Sequence, residues 1–162
     1  MKKKIMLVLL LLLFAGCSLS NTPTSKVEEL LGKYQSLDSS INISTATLTQ
    51  NRTVDDDIND RYKKVIKKQY ENLTYEIKEE KIDGEIATIT TQIEVLDYKS
   101  IINKYDMIKY DESEYDKVLD DLENAKEKIV YTIDFTLTKD KKGDWNVDDL
   151  TTEQVNKLLG MY

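Results

Sequence analysis

The chain has 162 residues, of which 40% are hydrophobic and 33% charged, and its net charge of −7 disfavours nucleic acid as a partner. It contains no histidine and one cysteine. These counts exclude histidine-dependent nucleophiles, histidine-containing zinc sites, internal disulfides and thiolate clusters. We therefore expect one globular domain without a catalytic residue, a metal or a cofactor.

The first sixteen residues have the organisation of a secretory signal peptide. Three lysines precede an apolar run of eleven residues, Ile5 to Ala15, which is too short to span a bilayer. Small residues then come directly before the single cysteine, Cys17. The segment Phe14-Ala15-Gly16-Cys17 resembles the bacterial lipobox, with phenylalanine where leucine is most common.

The lipobox resemblance implies cleavage between Gly16 and Cys17 and a diacylglyceryl thioether on the cysteine. Two acyl chains anchor a protein stably, since each buried CH₂ contributes about 0.8 kcal/mol. The three lysines leave with the signal peptide, so the net charge of −7 becomes −10 in the mature chain. We expect this chain at the extracytoplasmic face of a cell membrane. The alternative is an ordinary cleaved signal followed by a free thiol, which is disfavoured on exported proteins.

After Cys17, residues 18–24 are small and polar and predict a tether of about 25 Å at full extension. The domain is then expected to span residues 25–162. Its first helix is predicted over residues 25–37, with Ser25 as N-cap and Glu28 completing a capping box. Residues 38–57 predict an irregular or partly helical connection. A second helix is predicted over residues 58–71, with one stripe formed by Tyr62, Val65, Ile66, Gln69, Tyr70 and Leu73.

The pattern then alternates with period two and predicts a hairpin. A two-residue Asp83-Gly84 turn would put the apolar residues of the two strands on opposite faces. We therefore expect a three-residue loop, residues 82–84, with a left-handed glycine. In that register Ile77 faces Ile89, and Leu73 faces Ile93. The residues expected to be buried are Ile77, Ile89, Ile93, Ile133 and Phe135, and those expected to be exposed are Thr88, Thr90, Thr132 and Asp134.

Helical spacing returns over residues 98–128, with Asp111 as a predicted N-cap. Residues 129–137 form the cleanest alternating strand, and a turn over residues 140–144 leads to a fourth strand with Trp145. A terminal helix is predicted from two motifs at its start. Thr151 and Gln154 form a capping box, and Leu150 and Val155 form a hydrophobic staple.

The predicted fold class is α+β, a curved antiparallel sheet of about four strands with helices packed on one face. The element order and the closing strand pair resemble the cystatin-like or NTF2-like superfamily over residues 25–162. With the lipobox, the chain resembles uncharacterised NTF2-like lipoproteins of Gram-positive bacteria. The resemblance implies helices on the concave side of the sheet. Members of that superfamily include both enzymes and binding modules, so the fold does not name an activity.

Two sequence features suggest chemistry and have simpler explanations. Residues 55–59 carry oxygen ligands with calcium-loop spacing, but Asp60 replaces the required glycine and Ile66 the final glutamate. We interpret them as a solvated acidic loop that leads into the second helix, where negative charge favours the helix N-terminus. The ten tyrosines could line a binding concavity, but five fall on core stripes, which favours packing: Tyr34, Tyr62, Tyr70, Tyr75 and Tyr131.

The sequence therefore predicts a non-catalytic, lipid-anchored module that binds an envelope protein, a peptide or another envelope component. The alternative is a small-molecule binder or weak hydrolase that uses the concave face of the sheet. A tyrosine-lined pocket of roughly 300 Å³ or more with a convergent carboxylate would favour the alternative, and a filled core would favour the binding module. The sequence leaves the ligand-binding residues unknown.

Overall fold

The protein is an α+β domain, and its structure, a computed structural model, describes residues 21–41, 48–49, 54–105 and 112–162. The strands form one antiparallel sheet in the order β1-β2-β3-β4, and the helices pack on it, which confirms the predicted fold class. The elements in chain order are α1 (Pro23–Gln35), α2 (Asp56–Glu71), β1 (Thr74–Asp83), β2 (Ile86–Leu96), α3 (Tyr98–Ile102), α4 (Glu112–Glu123), β3 (Lys128–Lys139), β4 (Trp145–Val147) and α5 (Thr152–Leu158).

The first helix starts earlier than predicted. Its N-cap is Thr22, whose hydroxyl accepts the backbone N–H of Ser25, while the Ser25 hydroxyl accepts the N–H of Thr22. The prediction of Ser25 as N-cap was wrong because the capping spacing occurs twice in succession. Pro23 favours the first occurrence, since its ring presets the first helical φ. Residues 21–24 therefore belong to the folded domain and not to the tether.

The second helix begins at Asp56, two residues before the predicted start. The Asp55 carboxylate caps it by accepting the N–H of Ile58 at 2.9 Å. The calcium-like segment is thus the N-cap and first turn of α2, and not the loop leading into it that the sequence predicted. The predicted stripe is buried in full: Tyr62, Val65, Ile66, Gln69, Tyr70 and Leu73.

The hairpin register differs from the predicted one. Asp83 pairs with Ile86, so the turn has two residues, Gly84 and Glu85, and the glycine has a φ of 63°. The pairing slips by one residue at Lys78, which is a β-bulge. Ile77 consequently faces Thr91 instead of Ile89, and Tyr75 instead of Leu73 faces Ile93. The bulge restores the inward direction of the apolar residues, so the three-residue loop predicted for that purpose does not form.

The inner face of the sheet is apolar along its central strands. Ile89, Ile93, Ile133 and Phe135 are buried as predicted, together with Ala87, Val95 and Leu137. Ile77 is only half-buried, because β1 is an edge strand. On the outer face Thr132 and Asp134 are exposed as predicted. Thr88 and Thr90 are half-buried instead, since β2 has a neighbouring strand on each side.

The second half of the chain has the predicted order of helices and strands. The segment predicted to be helical divides into α3 and α4, and Asp111, its predicted N-cap, lies outside the described residues. The turn after β3 is confirmed, with Gly143 at a φ of 89°. The Thr151–Gln154 capping box is also confirmed.

The terminal segment covers an open edge of the sheet. Strand β4 pairs only with residues 137–139 of β3, which leaves most of that edge without a strand partner. The Asp148 N–H donates to the carbonyl of Thr136 at 2.9 Å. Side chains of α5 continue the row, Gln154 to the carbonyl of Asp134 and Lys157 to that of Thr132. This cover protects the edge against pairing with another chain.

Candidate functional site

A groove of about 680 Å³ opens at the end of the sheet where β2 ends and β3 begins. The β1–β2 turn lies at the other end of these strands, roughly 34 Å away along β2, since an antiparallel strand rises about 3.4 Å per residue. Three other depressions on the described surface measure 220 to 260 Å³. The described residues that line the groove are Asp97, Ser100, Ile101, Lys104, Asp121, Asn124, Ala125, Lys126, Glu127 and Lys128.

One wall of the groove is fixed by Asp97, which follows β2 directly. Its carboxylate caps α3 by accepting the backbone N–H of Ser100 at 2.9 Å and the Ser100 hydroxyl at 2.6 Å. Its own N–H donates to the carbonyl of Glu127 at 2.9 Å. The start of α3 is thereby tied to the segment that enters β3, so this wall has a defined position.

The opposite wall is the last part of α4. The Tyr105 hydroxyl donates to the Asp121 carboxylate at 2.7 Å, and this hydrogen bond raises the pKa of Tyr105 to about 12. The ammonium group of Lys68 donates to the carbonyl of Glu123, the last residue of α4, and to that of Ala125, two residues further along. A cation is favourable there, because the last carbonyls of a helix are unsatisfied.

Arg61 holds α4 against α2. Its guanidinium contacts Glu123 at 3.0 Å, Asp120 at 2.7 Å and Asp116 at 2.9 Å. The hydrogen bond to Glu123, followed by that to Asp120, raises the pKa of Arg61 above its usual range. One of the two arginines in the chain thus neutralises part of the acidic face of α4 and fixes the helix that forms the groove wall.

The lining of the groove is mainly charged and polar. It combines three lysines and three acids with hydroxyl and amide groups, and the lining named above contains no aromatic ring. Lys128 forms an ion pair with Glu94 at 2.8 Å. Lys104 and Lys126 are exposed and form no ion pair with any other described residue. The carboxylates of Asp97 and Asp121 already accept hydrogen bonds from the groove's own walls.

Of the five tyrosines on the core stripes, Tyr62 and Tyr70 are buried, whereas Tyr34, Tyr75 and Tyr131 are half-buried and pack against the core. Tyr62 and Tyr98 are fully buried, and the Tyr98 hydroxyl donates to the carbonyl of Val65 at 3.0 Å. Tyr34 and Tyr70 meet edge to face, with their ring centroids 4.8 Å apart. Burial raises the pKa of both Tyr70 and Tyr98 above the usual range for tyrosine. These rings fill the space under the sheet, where the alternative function would need a concavity.

The predicted signal-cleavage and lipidation residues, Gly16 and Cys17, lie outside the described residues, as do residues 1–15 and 18–20. Among the residues that the structure describes, no helix is long and apolar enough to cross a membrane. Within the described ranges, no three aspartate or glutamate side chains are placed so that they could hold a metal ion together.

Comparisons with protein-family models, curated proteins and solved structures found no match to this chain. The resemblance to the cystatin-like or NTF2-like superfamily therefore rests on the element order, the closing strand pair and the lipobox.

Sequence analysis missed two structural residues. Asn21 looked like part of a tether, but its side chain bonds three groups of the β3–β4 turn. Gln69 was placed on a core stripe without a partner, whereas its amide joins three segments. A polar side chain among buried apolar positions was the available signal, since buried amides are nearly always hydrogen-bonded.

Proposed function

We propose that this chain is a lipid-anchored extracytoplasmic lipoprotein whose domain is a non-catalytic binding module of the NTF2-like type. The anchor is supported by the signal peptide and by the lipobox ending in Cys17. The binding role is supported by the groove where β2 ends and β3 begins, which is the observation that carries the proposal.

The groove chemistry favours a peptide or protein segment as the partner. Lys104 and Lys126 offer cationic donors without ion-pair partners among the described residues, and Ser100 and Asn124 add polar groups beside them. Ile101 and Ala125 provide a small apolar floor. A polypeptide that carries carboxylates and backbone carbonyls would satisfy these donors, whereas nucleic acid would meet a strongly acidic protein.

Site-specific photo-crosslinking in intact cells tests this role. A photoreactive residue at Lys104 or Lys126 should give one discrete crosslinked protein. The same residue at Lys67, exposed on α2, is the matched control and should give none. The pair Lys104→Glu and Lys126→Glu, combined with the probe at Ser100, should abolish the product. Equal products from the groove and from Lys67, or no product from either groove position, would contradict the proposal.

The volume of the groove is the one observation that favours the alternative, a small-molecule binder or weak hydrolase, because ligand pockets usually measure about 300 to 1,000 Å³. The lining of the groove argues against this alternative, since small-molecule pockets are mainly apolar and aromatic. Saturable binding of a small envelope metabolite by the purified protein, lost in Lys104→Glu and retained in Lys67→Glu, would support this alternative.

A further inference from the structure

The N-terminal end of the described chain is fixed to one end of the sheet. The Asn21 amide donates to the carbonyl of Gly143 at 3.0 Å and to the Asp144 carboxylate at 2.9 Å, and its oxygen accepts the N–H of Trp145 at 2.9 Å. Three residues lie between Cys17 and Asn21, so the Cα atoms of these two positions, four chain steps apart, are at most about 14 Å from each other. A lipid on Cys17 would hold the β3–β4 turn close to the membrane.

The β1–β2 turn lies beside this point. The N–H of Lys139, at the end of β3, donates to the carbonyl of Glu85 at 2.8 Å, and Thr138 pairs with Ile86. On the neighbouring strand, the Glu80 carboxylate accepts the hydroxyl of Thr24 at 2.6 Å. Both turns and the first residues of α1 therefore form one end of the molecule, which we call the turn end: residues 21–24, 80–86 and 138–145.

The turn end carries two exposed isoleucines. Ile82 and Ile86 are each 54% exposed, and they account for two of the four large hydrophobic residues exposed on the described surface. Ile86 shares a sheet face with its partner Asp83, and Ile82 lies on the opposite face with Ala87. The hairpin thus presents one isoleucine on each face of its tip, a wedge that water solvates poorly.

We infer that the turn end is a lipid-contact surface, and that Ile82 and Ile86 enter the head-group region of the membrane that holds Cys17. This inference rests on the proposed lipid anchor. The short connection from Cys17 keeps the wedge at the membrane surface, so even a weak apolar contact is formed at high effective concentration. The groove between α3 and α4 then points away from the membrane, roughly 34 Å above it, since β2 runs from one end to the other.

The charge of the turn end indicates which lipids it contacts. Residues 80–85 and 139–144 contain four lysines and five acids, so the surface is close to neutral. An anionic bilayer gains little from such a surface. The contact should therefore depend on the isoleucines and not on the proportion of anionic lipid.

Lipid quenching of a fluorophore on the full-length lipidated protein tests the inference. The fluorophore is placed at Glu85→Cys in the turn and, as the matched control, at Lys126→Cys in the groove; both native residues are exposed. The protein is reconstituted into phosphatidylcholine vesicles that contain a head-group nitroxide lipid, with or without phosphatidylglycerol. Because the sulfur of Cys17 is a thioether in the lipidated protein, the introduced cysteine carries the thiol that reacts with the label. We expect several-fold stronger quenching at position 85 than at 126, with both lipid mixtures.

The exposed isoleucines allow a variant that should still fold. Ile82→Ser with Ile86→Ser should markedly reduce quenching at position 85. Unchanged quenching in that variant would mean that the tether alone keeps position 85 near the membrane, and it would overturn the lipid contact. Weak quenching at 85, or equal quenching at 85 and 126, would overturn the orientation while leaving the anchor intact. Absence of incorporated fatty acid in the same preparation would instead overturn the proposed anchor, and the inference with it.

Discussion

Gln69 and Leu96 form a reciprocal pair of hydrogen bonds in the core: the Gln69 amide donates to the carbonyl of Leu96, and its oxygen accepts the N–H of Leu96, both at 2.8 Å. The second amide hydrogen donates to the carbonyl of Leu159 at 2.7 Å. Gly160 makes this approach possible, since a Cβ there would lie 1.9 Å from the carbonyl oxygen of Leu96. One buried side chain therefore joins α2, the end of β2 and the C-terminal segment.

Replacement of Gln69 by methionine should be strongly destabilising. The change preserves approximate size but leaves buried backbone groups of Leu96 and Leu159 without their partner, and each such group costs about 1 to 3 kcal/mol. We expect urea denaturation to show a loss of at least about 2 kcal/mol in the free energy of unfolding. Gln92→Met, the same change on the outer sheet face, should change it little, and a similar loss in both variants would contradict the role of Gln69.

Phe135→Ala tests the assigned core face of the sheet. Phe135 is fully buried between the sheet and the helices, and truncation of such a ring typically costs about 3 to 5 kcal/mol. Thr136→Ala on the neighbouring exposed position should stay within about 0.5 kcal/mol of the wild type. A cost below about 1 kcal/mol for Phe135→Ala in thermal or urea unfolding would contradict this assignment.

The sequence predicted the alternating strands and buried stripes because their periods depend only on which residues face the core. The hairpin register was predicted wrongly, because two arrangements bring the apolar residues to one face. One is a bulge in the loop, and the other is the bulge within β1 at Lys78, which the structure contains. The prediction also failed at Thr22, because two capping boxes overlap. The groove was beyond prediction, since Asp97, Asp121 and Lys128 are brought together only by the packing of three separate segments.

Arg61→Gln should loosen α4 with only a small effect on global stability. The three carboxylates it contacts are 38% to 68% exposed, and exposed ion pairs contribute about 0.2 to 1 kcal/mol each. Amide exchange should accelerate in α4, with less change in the sheet, and added sodium chloride should reduce the difference by screening. Lys63→Gln, which breaks an ion pair to Asp60, is the control; equal acceleration there would contradict the clamp.

The buried tyrosines predict a loss of stability in alkali. Burial raises the pKa of Tyr98 in the folded state, whereas an unfolded tyrosine ionises near about pH 10. Stability is therefore fully present below about pH 10 and is lost as pH rises toward the folded pKa. Tyr98→Phe should lower the free energy of unfolding by about 1 kcal/mol at neutral pH, because the hydrogen bond to the carbonyl of Val65 is lost. Above about pH 10 the free energy of unfolding of this variant should fall less steeply with pH than that of the wild type. An unchanged slope in unfolding measurements would contradict this assignment.

The lipid anchor is the central claim, and metabolic labelling with a radioactive fatty acid tests it most directly. The full-length wild-type protein should incorporate the label and partition with membranes. Cys17→Ser should incorporate none and remain as uncleaved precursor or appear in the medium, because the thiol proposed to carry the diacylglyceryl group is gone. Ser18→Ala, one residue further along, should behave as wild type. Label in the Cys17→Ser protein, or none in the wild type, would contradict the account.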